Sequence, residues 1–215
     1  MYQIFNREAQ VCDCKHMLVL LPGRGQPATD MLARYSYQAC LKDFILVAID
    51  PDEEWYPAPN GANDQLSAVN GIATEAPKLL EIIETLAFEN NIPLNHVVLG
   101  GWSAGAVMAI ECSQLAEFAA IVVHNGAILS PDNLLKQKYN TSYLVFHNEN
   151  DDCFSWEERY IPMKNALLEK EYCVFFKEGL SGHFMTRDDV YYAGEWVKNI
   201  LGYPTNFDEL FYKDL

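Results

Sequence analysis

Ser103 stands in Gly101-Trp102-Ser103-Ala104-Gly105, after the apolar run 97–99 and before the small and apolar residues 104–110. Glycine and alanine crowd that hydroxyl on both sides. One reason is steric, since a sharp strand-to-helix turn tolerates only small neighbours. The other is chemical, because such a turn lifts a serine Oγ out of a sheet and presents it to a ligand. A serine hydroxyl is a poor nucleophile without a base, so the chemical reading needs partners.

In a strand–turn–helix setting the expected chain order is serine, acid, histidine. Three histidines follow Ser103. His124 and His147 close apolar runs, which suits hydrogen-bonded core or rim residues. His183 lies in the glycine-rich "KEGLSGHFMT", a loop where a base can swing over a sheet edge. The stretch "FHNENDDCF" offers Asp151 and Asp152, with Glu149 as a third candidate. One of these would hold the imidazole in a single tautomer and stabilise the imidazolium that forms. Its neighbour is then solvated or caps a helix.

An acyl-transfer intermediate also needs donors for its oxyanion. The Ala104 N–H, opening the helix after the turn, is one. The loop "LLPGRGQ" supplies the other, at the Arg24 N–H, with Gly23 and Gly25 letting the backbone come close. The Arg24 side chain is either solvated or meets an acidic substrate group. In "DPDEEWYPAPNG" (50–61), Trp55 and Tyr56 either wall a substrate pocket or cap the core. Trp102 beside the serine either contacts substrate or packs under the turn.

The elements that position these residues follow from period and punctuation. Apolar runs predict strands at 15–22, 43–50, 96–101, 118–125, 141–148 and 172–179. Helical spacing predicts helices at 28–41, with Thr29 as N-cap, and at 63–91, interrupted or kinked near Gly71 and Pro77. Further helices are expected at 104–115, 156–170 and 187–201. Continuous apolar strands separated by helices imply an α/β, doubly wound, mostly parallel sheet covered on both faces. Ligands of such sheets sit beyond the C-terminal strand ends. The 15 residues 126–140 suffice for a crossover, not for a lid domain. The acidic-aromatic tail 202–215 is expected to pack loosely on the body.

At 215 residues the chain reads as one domain, 1–215. Its 30 acidic against 15 basic residues leave a net charge of −15, which argues against a nucleic-acid partner. No apolar run is long enough for a membrane span, and the start "MYQIFNREAQ" does not read as a signal peptide. Cys12 and Cys14 fit neither a redox pair nor a common zinc spacing, so the six cysteines read as buried, reduced thiols in a cytoplasmic compartment.

Four segments together resemble the phospholipase/carboxylesterase (acyl-protein thioesterase-like) family of the α/β-hydrolase superfamily. They are Leu21-Pro22-Gly23-Arg24-Gly25, Gly101-Trp102-Ser103-Ala104-Gly105, His147-Asn148-Glu149-Asn150-Asp151 and Gly182-His183. The likeness spans roughly 15–200. Where the family usually has L-H-G-x-G and H-G-x-x-D, this chain has Pro22 and Asn148. The resemblance implies Ser103, Asp151 and His183 as the triad, with Asp151 favoured over Asp152 by the third motif. It implies hydrolysis of carboxylic esters, or thioesters, without metal or organic cofactor. The short 126–140 crossover and the bulk of Trp55 and Tyr56 favour small soluble esters, and the chain is expected to act as a monomer or homodimer. The alternatives are an acyl thioesterase or lysophospholipase, and a ligand-binding protein with an idle triad.

Overall fold

The computed structural model describes residues 2–7, 14–38, 41–57, 62–129, 139, 141–169 and 172–205; for 62–65 it describes the backbone alone. Cys12, residues 58–61, most of the 126–140 crossover and the end of the tail lie outside the described residues.

Strand β1 is Gln3–Arg7, β2 His16–Leu21 and β3 Phe44–Asp50. Then come β4, Val97–Trp102, β5, Ala120–His124, β6, Ser142–Asn148, and β7, Val174–Gly179. They form one sheet in the order β1-β3-β2-β4-β5-β6-β7. All neighbours are parallel except β1, which runs antiparallel to β3 with Gln3 opposite Asp50. The sequence reading assigned β1 no element: five residues at a sheet edge carry little periodicity, and their order comes from the β3 ladder.

Helix α1 is Ala28–Ser36, α2 Ala62–Glu89 and α3 Ala104–Ser113. A π-helical turn, Trp156–Tyr160, leads into α4, Ile161–Glu169, and α5 is Arg187–Ile200. The inner strands are buried on both faces, as a doubly wound sheet requires. On one face Val19, Leu99 and Val123 pack with Leu79 of α2, Val107 of α3 and Met163 of α4. On the other, Leu18, Val98 and Leu144 meet Met31 and Tyr35 of α1 and Trp196 of α5.

Two expectations about helices change. α1 begins at Ala28 rather than after Thr29, because the Asp50 carboxylate accepts the Ala28 N–H at 3.0 Å and takes over the cap. α2 runs unbroken past Gly71 and Pro77. Gly71 is there for contact: a Cβ on it would lie 2.7 Å from Pro57 Cδ, so the 55–57 loop presses on the bare helix. The tail starts with an anchor, the Tyr203 hydroxyl 2.7 Å from His16 Nδ1. Among the described residues no helix is long and apolar enough to cross a membrane.

The sheet grows from β2 first to β3 and then, on the other side, to β4. That reversal leaves a crevice at the C-terminal ends of β2 and β4. Residues 22–25 and Ser103 both emerge there.

Candidate active site

Ser103 joins β4 to α3 with φ 54° and ψ −119°, a left-handed-side conformation that side chains rarely adopt. Its N–H donates to the His124 carbonyl at 2.9 Å, tying the corner to β5. The flanking glycines make the corner possible. A Cβ on Gly101 would lie 2.4 Å from Ala106 Cα, and one on Gly105 2.1 Å from the Leu21 carbonyl oxygen. Strand, helix and the loop after β2 therefore meet backbone to backbone. Gly23 continues this contact, since a Cβ there would sit 2.4 Å from the Trp102 ring and 3.2 Å from Ser103 Cβ.

The Ser103 hydroxyl lies 2.9 Å from His183 Nε2. His183 Nδ1 is 2.8 Å and 3.0 Å from the two Asp151 carboxylate oxygens. The three side chains thus form one hydrogen-bonded line. Asp151 is buried, and burial by itself would raise its pKa. The hydrogen bonds from His183, the Phe154 N–H and the Asn125 amide outweigh that and hold it at about 2. The Cys153 N–H adds a further bond to Oδ1 at 2.8 Å. Asp152, next in the chain, is exposed, with its Oδ1 3.6 Å from Cys153 Sγ, so the turn separates the two carboxylates. Glu149 is exposed as well.

The other two histidines are core residues. His124 is fully buried, with Nε2 2.7 Å from the Tyr35 hydroxyl and its ring stacked on Phe146. Burial lowers its pKa to about 4. His147 stacks on Tyr160, and its Nε2 lies 2.9 Å from the Phe154 carbonyl.

Ser103 and His183 open onto a cavity of about 640 Å³, lined also by Arg24, Tyr56, Trp102, Ala104, Leu129, Phe154 and Arg159. Ala104 opens α3, and the first N–H groups of a helix have no intrahelical acceptor. The Arg24 side chain stays partly exposed at the cavity rim, but its charge is already engaged. Its guanidinium pairs with Glu54 at 2.5 Å and donates to the Tyr56 carbonyl at 2.9 Å.

Trp55 and Tyr56 part company. Tyr56 lines the cavity, whereas Trp55 does not: it is turned into the core and its Nε1–H donates to the Pro22 carbonyl at 2.7 Å. The pairing of the two as a substrate wall is therefore corrected. Trp55 instead braces the loop after β2, at the position where the family usually carries histidine. Trp102 faces the cavity, its ring 5.4 Å from that of His183. The sequence reading missed Leu129, Phe154 and Arg159. The only sequence signal for the last two was their place just after the Asp151 turn.

The cysteines are not uniformly buried. Cys112 is, but Cys153 and Cys173 are exposed and Cys14 is half-buried. Asp151, Cys153 and His183 offer ligand atoms within 4.8 Å of one another. Both His183 nitrogens and both Asp151 oxygens are already hydrogen-bonded.

The sequence signature described as phospholipase/carboxylesterase matches residues 48–176. The chain belongs to this family. The matched segment includes Ser103 and Asp151 and ends before His183. Family membership makes the protein a carboxylesterase-type hydrolase. No curated protein matches the sequence significantly. Solved structures share the phospholipase/carboxylesterase fold closely. Esterase PE8 superposes with a TM-score of 0.82 at 20% identity, covering 92% of this chain and 97% of its own. The Bacillus cereus carboxylesterase gives 0.75 at 19%, with 93% and 95% covered. Arabidopsis thaliana SOBER1 gives 0.71 at 16%, with 86% and 99% covered.

Proposed function

We propose that the protein is a serine carboxylesterase acting on small soluble carboxylic esters through Ser103, His183 and Asp151. The observation that carries this is the continuous line of short hydrogen bonds from Ser103 Oγ through His183 to Asp151, at the edge of an open cavity. Family membership and the esterase names of the structural neighbours point the same way.

In the reaction, Ser103 Oγ attacks the ester carbonyl carbon while His183 Nε2 takes its proton. The carbonyl oxygen becomes an oxyanion held by the Arg24 and Ala104 N–H groups. Asp151 keeps the His183 Nδ1 proton in place and stabilises the imidazolium. Collapse breaks the bond to the alcohol, which leaves with the proton from Nε2, and an acyl-Ser103 ester remains. Water repeats the sequence, giving its proton to His183, and the free acid departs as Ser103 regains its hydrogen. These steps balance without metal or organic cofactor.

Tyr56 and Trp102 wall the cavity and shorten it, which suits small acyl groups. We further infer a single domain, monomeric or homodimeric, working in the cytoplasm without a nucleic-acid partner. A fluorophosphonate probe tests the reading. It should label the wild-type chain covalently and fail on a folded Ser103→Ala variant. Labelling that survives this substitution would place the nucleophile elsewhere, and a wild-type chain that never labels would support an idle triad.

A further inference from the structure

Two asparagines meet at the carbonyl of Gly182, the residue before His183. Asn125 Nδ2 donates to it at 3.1 Å and Asn148 Nδ2 at 2.9 Å. Asn125 also donates to Asp151 Oδ2 at 3.0 Å. Asn148 Oδ1 accepts the Ser181 N–H at 3.2 Å, and a Cβ on Gly179 would lie 2.6 Å from that oxygen. The loop from Gly179 to His183 is thus fastened to the ends of β5 and β6 by two amides. Asn148 stands where the family usually has glycine, so this fastening is a feature of this chain.

Asn125 is fully buried and has φ 48°, a conformation that asparagine, aspartate and glycine tolerate best. Its own N–H donates to the Phe146 carbonyl at 2.9 Å, which fixes the amide between β5 and β6. One rigid side chain therefore holds both the carboxylate and the loop carrying the imidazole that this carboxylate orients.

We infer that Asn125 is a positioning residue for the hydrolysis, locking Asp151 and the His183 loop in register, with Asn148 as its partner on the Gly182 carbonyl. The inference rests on the triad reading above. Without the Asn125 amide, Asp151 loses a donor that favours its charged form, and Gly182 keeps one tether of two. Small errors in aiming His183 at Ser103 then cost rate rather than substrate affinity, because no asparagine atom lines the cavity.

The test uses the full chain with Asn125→Gly, Asn125→Asp, Asn148→Gly and the double glycine variant, on a soluble short-chain p-nitrophenyl ester. Asn125→Gly keeps the backbone conformation and removes the amide. It should lower kcat about 10- to 100-fold with KM changed less than about twofold. Asn148→Gly should cost less alone and more in the Asn125→Gly background, since the two amides share one carbonyl. Asn125→Asp is nearly isosteric and puts a second carboxylate against Asp151. It should move the acidic limb of the kcat/KM profile up by about one pH unit. The other titratable groups around this pair are His124, His147, Glu178, Asp152 and Cys153, and all are unchanged in the variants.

If Asn125→Gly fails to fold, Asn125→Asp decides alone through its pH profile. Both Asn125 variants with kcat within about twofold of wild type and an unmoved acidic limb, while Ser103→Ala is inactive, would overturn the inference. Ser103→Ala retaining activity would instead overturn the triad reading on which it rests.

Discussion

Replacing Ser103 by alanine removes one oxygen and leaves a backbone no harder for alanine than for serine to adopt. The variant should fold, and kcat should fall on the order of 10⁴- to 10⁶-fold, because members of such a unit fail together. Asp151→Asn should cost about 10⁴-fold by favouring the wrong imidazole tautomer, whereas Asp152→Asn should stay within about tenfold. Steady-state kinetics on all three separates the buried carboxylate from its exposed neighbour; equal losses for the two aspartates would refute the assignment. Buried His124 makes a separate prediction about stability. Its pKa drops from 6.5 unfolded to about 4 folded, so between these values the unfolded chain binds more protons. Stability contributed by the neutral ring is therefore lost as pH falls through that window, by on the order of 3 kcal/mol. Asp151 extends the loss from its unfolded value of 3.8 down to about 2, where the carboxylate of the folded chain finally protonates. Urea unfolding as a function of pH should show His124→Gln less stable at neutral pH but with a flatter slope from pH 6.5 to 4. An unchanged slope would show that His124 does not carry the titration.

Helix α3 is the element that the corner at Ser103 depends on, and it is buried along nearly its whole length. Its one charged residue, Glu111, has no hydrogen-bond or ion-pair partner among the described residues. Burial raises its pKa to about 7. Here the sign is opposite to that of His124. The unfolded carboxyl ionises above 4.5 while the folded one keeps its proton to about 7, so stability falls as pH rises through this interval. Between 4.5 and 6.5 the two residues pull the stability curve in opposite directions. Glu111→Gln removes the ionisation at nearly constant volume. It should stabilise the protein at pH 8 by about 1–2 kcal/mol, after screening by solvent, and leave it unchanged near pH 4. Equilibrium unfolding at the two pH values checks this; an equal gain at both would mean that ionisation is not the cause.

Across the whole molecule, substrate size is set by what surrounds the crevice. The described residues place Tyr56 and Trp102 beside Ser103 and show no lid domain over the cavity. The protein should therefore prefer acetyl and butyryl esters over octanoyl and palmitoyl ones, with little activation at a lipid surface. Kinetics across these four acyl lengths, below and above the solubility limit, measures it. A kcat/KM that climbs steadily to palmitoyl, or jumps at the interface, would replace the esterase reading with the thioesterase or lysophospholipase one.

Continuous apolar runs at 17–21, 97–99, 120–123 and 143–146 are too short for buried helices and suit strands buried on both faces, with helices alternating between them. The doubly wound sheet was therefore legible in the sequence. The corner at Ser103 was legible for a local reason too: glycines at 101 and 105 leave room that no other residue would. Local order does not determine which neighbouring side chain faces inward. Trp55 and Tyr56 are adjacent and alike, and only the Pro22 carbonyl, 33 residues away, draws one indole into the core. Asp151 and Asp152 are chemically identical, and contacts from Asn125 and His183 select the first. Strand β1 carries too weak a pattern to be seen without β3 beside it. The amides of Asn125 and Asn148 lie 23 residues apart and converge on Gly182 only because β5 and β6 are neighbours. Spacing along a chain fixes periodic elements, whose causes are local, whereas hydrogen bonds between distant segments exist only after the sheet has brought them together.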